Sequence, residues 1–289
     1  MNTNSLAFKI TWRVIFYPAL VYVTFSLIFF WLYAHPKRYY GSYKPEDFRL
    51  KTEAVTLLTA DGVKLDAWFL PNKTSKKAVV VCHGYPMDKG DVLGLTFFLA
   101  RGFNLLYFDF RATGRSGGVF SSGGARETRD LDAAVKFLED KGFRSGVGAY
   151  GFSMGAATVL LSTNPAIKAR VLDAPYADLG GQLDYIFRPF GAWRRPLLGL
   201  MKLWSYVFMG VNVNAVSPAL NAAALKTPIL LVHGDADRQV PLANSRRIKA
   251  AAPGAELWVI KGSGHGENWY SAGNQYEVRL SNFFNRNLK

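Results

Sequence analysis

Gly151-Phe152-Ser153-Met154-Gly155 sets a serine between two glycines. It lies where a β-like run, Val147-Gly148-Ala149-Tyr150, gives way to a helix-forming run, Ala156-Ala157-Thr158-Val159-Leu160-Leu161. In a strand–turn–helix setting, a G-x-S-x-G sequence lifts the serine hydroxyl above a sheet on a strained turn. The glycines are required because a side chain at either would collide with the neighbouring strand or helix. A serine hydroxyl is a poor nucleophile at neutral pH and needs a base. His265, flanked by Gly264 and Gly266 in a chain with 4 histidines, is the candidate base and later acid. A carboxylate must hold that imidazole in one tautomer and stabilise its cation. Asp235 and Asp237 compete for this role in one loop. Asp237 is preferred because it stands further into the loop, just before Arg238-Gln239-Val240-Pro241. Asp235 is better placed to fix the turn. Asp173, after another apolar run, is the outside candidate, with capping as its plainer role. An oxyanion needs two aimed backbone N–H groups. Met154, after the serine, and Tyr85, in His83-Gly84-Tyr85-Pro86, are the candidates, since Pro86 has no N–H. His83 reads as an organiser of that loop and Cys82 as core packing.

These residues must be positioned by a regular scaffold. Ala78-Val79-Val80-Val81-Cys82 and Asn104-Leu105-Leu106-Tyr107-Phe108 are continuous apolar runs, as expected for strands buried on both faces. Further strands are predicted at Arg170-Val171-Leu172, Ile229-Leu230-Leu231-Val232 and Leu257-Trp258-Val259-Ile260. Helical patterns run over Leu93 to Ala100, Glu127 to Glu139 and Ala156 to Ser162. Ahead of them, Ala60-Asp61-Gly62 between apolar runs predicts a hairpin. Alternating strands and helices after a hairpin imply an α/β fold: a mostly parallel central sheet with helices on both faces. Reactive groups then gather on loops at the carboxyl ends of the strands. Ser153, the acid and His265 all follow predicted strands, in that order. The segment from about 177 to 216 breaks the alternation. It carries Phe187, Phe190, Trp193, Trp204, Tyr206 and Phe208, and is expected to form a small helical cap that shapes an apolar acyl pocket or dips into lipid. The loop Asp109-Phe110-Arg111-Ala112-Thr113-Gly114-Arg115-Ser116-Gly117-Gly118 lacks a phosphate-binding fingerprint. It is read as structural, with Arg111 and Arg115 biasing the site towards anionic substrates.

The chain of 289 residues is 49% hydrophobic, enough for a sizeable core, and its single cysteine excludes an internal disulfide and a Cys-rich zinc site. Val14 to Ala34 is uncharged and almost wholly apolar or aromatic. As a helix it would extend roughly 30 Å, the thickness of a bilayer core. No A-x-A-like cleavage site follows, so an uncleaved single-pass anchor is expected rather than a signal peptide. Pro18 is placed near the start of the span. Lys37, Arg38, Lys44, Arg49 and Lys51 outnumber Lys9 and Arg13 across the span, which leans towards a cytoplasmic catalytic domain. The net charge of +14, without a nucleic-acid motif, favours a lipid surface over nucleic acid. The expected division is a tail at 1–13, an anchor at 14–34, a polar tether at 35–50 and one domain at 51–289.

Taken together, His83-Gly84, Asp109-Phe110-Arg111…Gly114-Arg115-Ser116-Gly117, Gly151-Phe152-Ser153-Met154-Gly155, His233-Gly234-Asp235-Ala236-Asp237…Val240-Pro241 and Gly264-His265 resemble the α/β-hydrolase superfamily. With the anchor, the chain resembles membrane-bound serine hydrolases related to acyl-protein thioesterases, lysophospholipases and prolyl-oligopeptidase-like peptidases. The resemblance implies a Ser153–Asp237–His265 triad with Tyr85 and Met154 as oxyanion donors. An apolar cap and a membrane anchor favour lipid-like or acylated substrates, so hydrolysis of carboxylic esters or thioesters is expected, with a peptidase of the same fold or a non-catalytic membrane protein on a hydrolase scaffold as alternatives. No cofactor or metal is indicated, and the oligomeric state is left open. One departure is Ala112-Thr113, where the family's loop commonly runs Arg-Gly-x-Gly.

Overall fold

The computed structural model describes residues 6–144 and 146–289, so residues 1–5 of the expected tail lie outside the described residues. Helix α1 runs Leu6–Ala34. It starts earlier than the apolar span, so Pro18 sits in its interior rather than in a first turn. The domain opens with a hairpin, β1 Glu53–Leu58 and β2 Lys64–Leu70. Then follow β3 Ala78–Cys82, α2 Lys89–Thr96, β4 Asn104–Phe108, α3 Glu127–Asp140, β5 Val147–Phe152, α4 Met154–Leu161 and β6 Ile167–Asp173. The insert holds α5 Leu179–Ile186 and α6 Arg194–Met209, and after it come α7 Pro218–Ala224, β7 Ile229–Gly234, α8 Ala243–Ala251, β8 Glu256–Ile260, α9 Asn268–Ala272 and α10 Asn274–Asn287.

The eight strands form one sheet in the order β1-β2-β4-β3-β5-β6-β7-β8. β2 runs antiparallel to both its neighbours, and every pairing from β4 to β8 is parallel. β3 shows why a continuous apolar run was needed. Successive side chains point to opposite faces. Ala78, Val80 and Cys82 enter a core with Leu131 and Val135 of α3 and Val159 of α4. Val79 and Val81 enter a second core with Val92 of α2 and Leu280 and Phe284 of α10. Burying each such side chain contributes roughly 1.5–3 kcal/mol before the entropy of ordering is counted. The first crossover helix begins at Lys89 rather than Leu93, because the Asp88 side chain accepts hydrogen bonds from the Gly90 and Asp91 N–H groups and caps an earlier start.

A third apolar cluster lies above the carboxyl ends of the strands. Phe187, Leu197, Leu198 and Met201 of the insert pack there with Phe30 and Ala34 of α1. The insert therefore packs against the end of the N-terminal helix. Residues 35–50 lie on the domain: Arg38 donates to the carbonyls of Gly114 and Ser116, and the Gly41 N–H donates to Asp88.

Candidate active site

Ser153 stands at the junction of β5 and α4 with φ 52 and ψ −113, a conformation few non-glycine residues adopt. Close packing enforces it. A Cβ on Gly151 would lie 2.5 Å from the Ala156 nitrogen, and one on Gly155 would lie 2.4 Å from the Cys82 carbonyl oxygen. The turn can be this tight only with glycine at both places. The Ser153 N–H is held by the Asp173 carbonyl at 2.8 Å.

His265 lies on the loop after β8. Its Nε2 is 3.1 Å from Ser153 Oγ and its Nδ1 is 2.6 Å from Asp237 Oδ2. Because a carboxylate only accepts, Nδ1 carries the proton donated to Asp237, which leaves Nε2 free to accept from the serine hydroxyl. Asp237, on the loop after β7, also accepts at Oδ1 from the Gln239 and Val240 N–H groups. Burial raises its pKa, but the neighbouring His233 imidazole and the hydrogen bonds from His265 and Val240 outweigh that and hold the carboxyl well below the usual carboxylate range. His233, to which no role had been given, sits with Nε2 3.5 Å from Asp237 Oδ2 while donating to the Val240 carbonyl. Its signal in the sequence was only its place at the end of β7.

The competing acids have other partners. Asp235 accepts from the Gly262 N–H at 2.6 Å and ties the two catalytic loops together. Asp173 accepts from Tyr276 at 2.6 Å and Asn268 at 2.7 Å in a buried cluster, where burial raises its pKa. His83 is buried; its Nε2 accepts from the Phe110 N–H, its Nδ1 donates to the Gly84 carbonyl, and burial lowers its pKa, so it stays neutral. Cys82 is buried and its thiol pKa is pushed well up, the reverse of a nucleophile. Among the described residues, no turn, loop or cap backbone hydrogen bond uses the N–H of Tyr85 or Met154.

The loop after β4 corrects one expectation. Arg111 does not face substrate; its guanidinium is buried between Asp61 of the hairpin and Asp130 of α3. Ala112 adopts φ 61, a left-handed conformation that favours glycine and accounts for the family's usual residue there. The cations that do face the site are Arg188, Lys202 and Arg238. They line a cavity of about 580 Å³ that also takes in Ser153, Met154, Tyr85 and His265. No Asp or Glu lines it among the described residues. Its walls are mainly apolar, with Leu179, Ile186, Met201 and Met209 from the insert and Phe30, Tyr33 and Ala34 from α1. Among the described residues no cluster of His, Cys, Asp and Glu could hold a metal ion.

The chain is 30% identical to an esterase of Pyrococcus furiosus, with a TM-score of 0.71, over 89% of this chain and 98% of that one. A Pyrococcus horikoshii acylaminoacyl peptidase shares the fold at 18% identity and a TM-score of 0.63, over 82% of this chain and 42% of that one. The uncharacterized Bacillus subtilis protein YqkD is 26% identical over 81% of this chain and 80% of its own. An uncharacterized membrane protein of Saccharomyces cerevisiae is 23% identical over 75% of this chain and 74% of its own. Residues 35–202, more than half of the chain, match the model of the X-Pro dipeptidyl-peptidase (S15) family. With its eight-stranded sheet and the G-x-S-x-G turn at the carboxyl end of β5, the chain belongs to that family of α/β-fold hydrolases.

Proposed function

We propose that the protein is a membrane-anchored serine hydrolase that cleaves carboxylic ester or thioester bonds of lipid-like or acylated substrates. The observation that carries this reading is the unbroken chain from Asp237 through His265 to Ser153, ending at the floor of an apolar cavity. In the first step His265 Nε2 takes the hydroxyl proton as Ser153 Oγ attacks the carbonyl carbon. The N–H groups of Tyr85 and Met154 hold the negative oxygen. The imidazolium, steadied by Asp237, gives its proton to the leaving alkoxide or thiolate, and an acyl-enzyme remains. His265 then takes a proton from water, hydroxide adds to the acyl carbon, and the same proton returns to Ser153 Oγ as the acid departs.

The family description and the acylaminoacyl peptidase neighbour favour a peptidase as the second reading. A substrate with a free amino terminus carries an ammonium group that carboxylates would hold. Arg188, Lys202 and Arg238 on the cavity wall repel it instead, which supports the acyl ester. The anchor rests on α1, whose residues Lys9–Ala34 are long and apolar enough to cross a membrane, with the basic flank after it pointing to the cytoplasmic side.

The test is hydrolysis of p-nitrophenyl butyrate beside X-Pro aminoacyl anilides. Wild type should turn over the ester and label with a fluorophosphonate probe, and Ser153→Ala should lose both. Undiminished ester hydrolysis in Ser153→Ala would remove the assignment, and preference for the anilide would turn it to the peptidase.

A further inference from the structure

We propose that the end of α1, from Phe30 to Ala34, is a wall of the acyl-binding pocket, so that the anchor itself selects long-chain acyl groups. This rests on the hydrolase reading and names its substrate class: a long-chain acyl ester held in the lipid leaflet.

The first half of α1 is bare, with Val14, Ile15, Leu20 and Val21 all exposed. Its second half is not. Ser26, Phe30 and Ala34 are buried, at spacings of i, i+4 and i+8 that put them on one face of the helix. α6 covers that face. Trp204 Nε1 donates to Ser26 Oγ at 2.9 Å, and the Phe30 and Phe208 rings stack at 5.7 Å between centroids. One turn before Ser26, the Tyr22 hydroxyl donates to the Trp193 carbonyl. The end of the helix is tied to the catalytic loops. A helix leaves its last carbonyls without partners of its own. Here the Tyr85 hydroxyl donates to the Tyr33 carbonyl and the Ser121 N–H to the Ala34 carbonyl, both at 2.7 Å. Tyr85 is also the proposed oxyanion donor, so the anchor ends directly against the reaction centre.

Phe30, Tyr33 and Ala34 then face the same cavity as Ser153 and His265. An acyl chain whose carbonyl carbon meets Ser153 has an apolar path towards α1. The outer side of α6 continues the apolar surface of the anchor, with Leu203, Tyr206 and Val207 exposed. This apolar surface lies on the same two helices that wall the cavity, which favours a lipid-resident ester over a soluble one.

The experiment uses the full chain in lipid nanodiscs and reads the ratio of kcat/KM for p-nitrophenyl dodecanoate to that for the butyrate. Ala34→Trp should narrow the α1 wall and lower the ratio on the order of tenfold, as a filled apolar pocket does, the dodecanoate losing more turnover than the butyrate. Phe30→Ala should open the wall and raise turnover of the hexadecanoate relative to the dodecanoate, a gain that misfolding cannot produce. Leu32→Ala, on the exposed side of α1, should leave both ratios unchanged. An unchanged ratio in both pocket variants, or equal loss on all esters, would overturn the proposal while butyrate hydrolysis by the wild type still supports the hydrolase reading. Absence of that hydrolysis would overturn both.

Discussion

Ser153 holds a backbone conformation that costs on the order of 1–3 kcal/mol, and such cost persists only where surroundings impose it. Here they are the Asp173 carbonyl on its N–H and the close contacts of Gly151 and Gly155. The strain keeps the hydroxyl pointed at His265, and in the proposed mechanism turnover depends on His265 keeping the right tautomer. Asp237→Asn can still meet Nδ1, but it can then donate and favour the wrong one. We expect kcat to fall by about 10⁴ with little change in KM, measured with p-nitrophenyl butyrate. A fall of only a few-fold would take Asp237 out of the mechanism. Since its neighbours hold the Asp237 carboxyl low, it stays charged through the ordinary carboxylate range and above. These three residues were legible because each sits on a short loop after an apolar run, and sequence neighbours alone place such loops. Of the two acids in one loop, Asp235 ties loop to loop and Asp237 meets His265.

Between elements, buried ionic contacts carry what the apolar pattern cannot. Arg111 joins the hairpin turn, through Asp61, to α3, through Asp130, and Arg129 adds a second bond to Asp61. The sequence reading takes the loop as structural with Arg111 biasing the site towards anionic substrates; its partners, 19 and 50 positions away, carry no sequence signal of the contact. The hydrogen bond from Arg111 acts against the effect of burial and drives the Asp61 pKa far down from its ordinary 3.8. A folded-state value below the unfolded one adds stability that is fully present above the unfolded value and lost as pH falls through the folded one. Asp61→Asn should therefore lower the unfolding midpoint at pH 7 by a few degrees, for roughly 1–2 kcal/mol after screening. The gap to wild type should narrow as pH drops below the ordinary aspartate range. A gap of constant size, followed by thermal melts across pH, would show that the contact is not ionic. The face of α1 was illegible for a different reason. All sides of that helix are apolar, so hydropathy marked a span and hid the Ser26–Phe30–Ala34 stripe, whose partners on α6 lie more than 170 residues away.

In the molecule as a whole, the sheet and its two helix layers were readable from strand and helix patterning, while the join between anchor and cap was not. That join has a mechanical meaning. The carbonyls of Tyr33 and Ala34 are clamped by Tyr85 and Ser121, and Arg38 straps the following segment to Gly114 and Ser116. A loosely tethered enzyme can bob and tilt above a bilayer; on the proposed reading of α1 as an anchor, this one is set on a strut. Counted from Val14 to Ala34, the strut is roughly 30 Å long, and its packed end fixes the height of Ser153 along it. The reaction centre then reads depth as well as chemistry. Bilayers thicker or thinner than the strut must deform or tilt it. Turnover of a bilayer-resident long-chain ester should peak in nanodiscs of one lipid thickness and decline on either side. Hydrolysis of the water-soluble butyrate in the same discs should stay level, and identical behaviour of the two esters would mean that the strut sets no height.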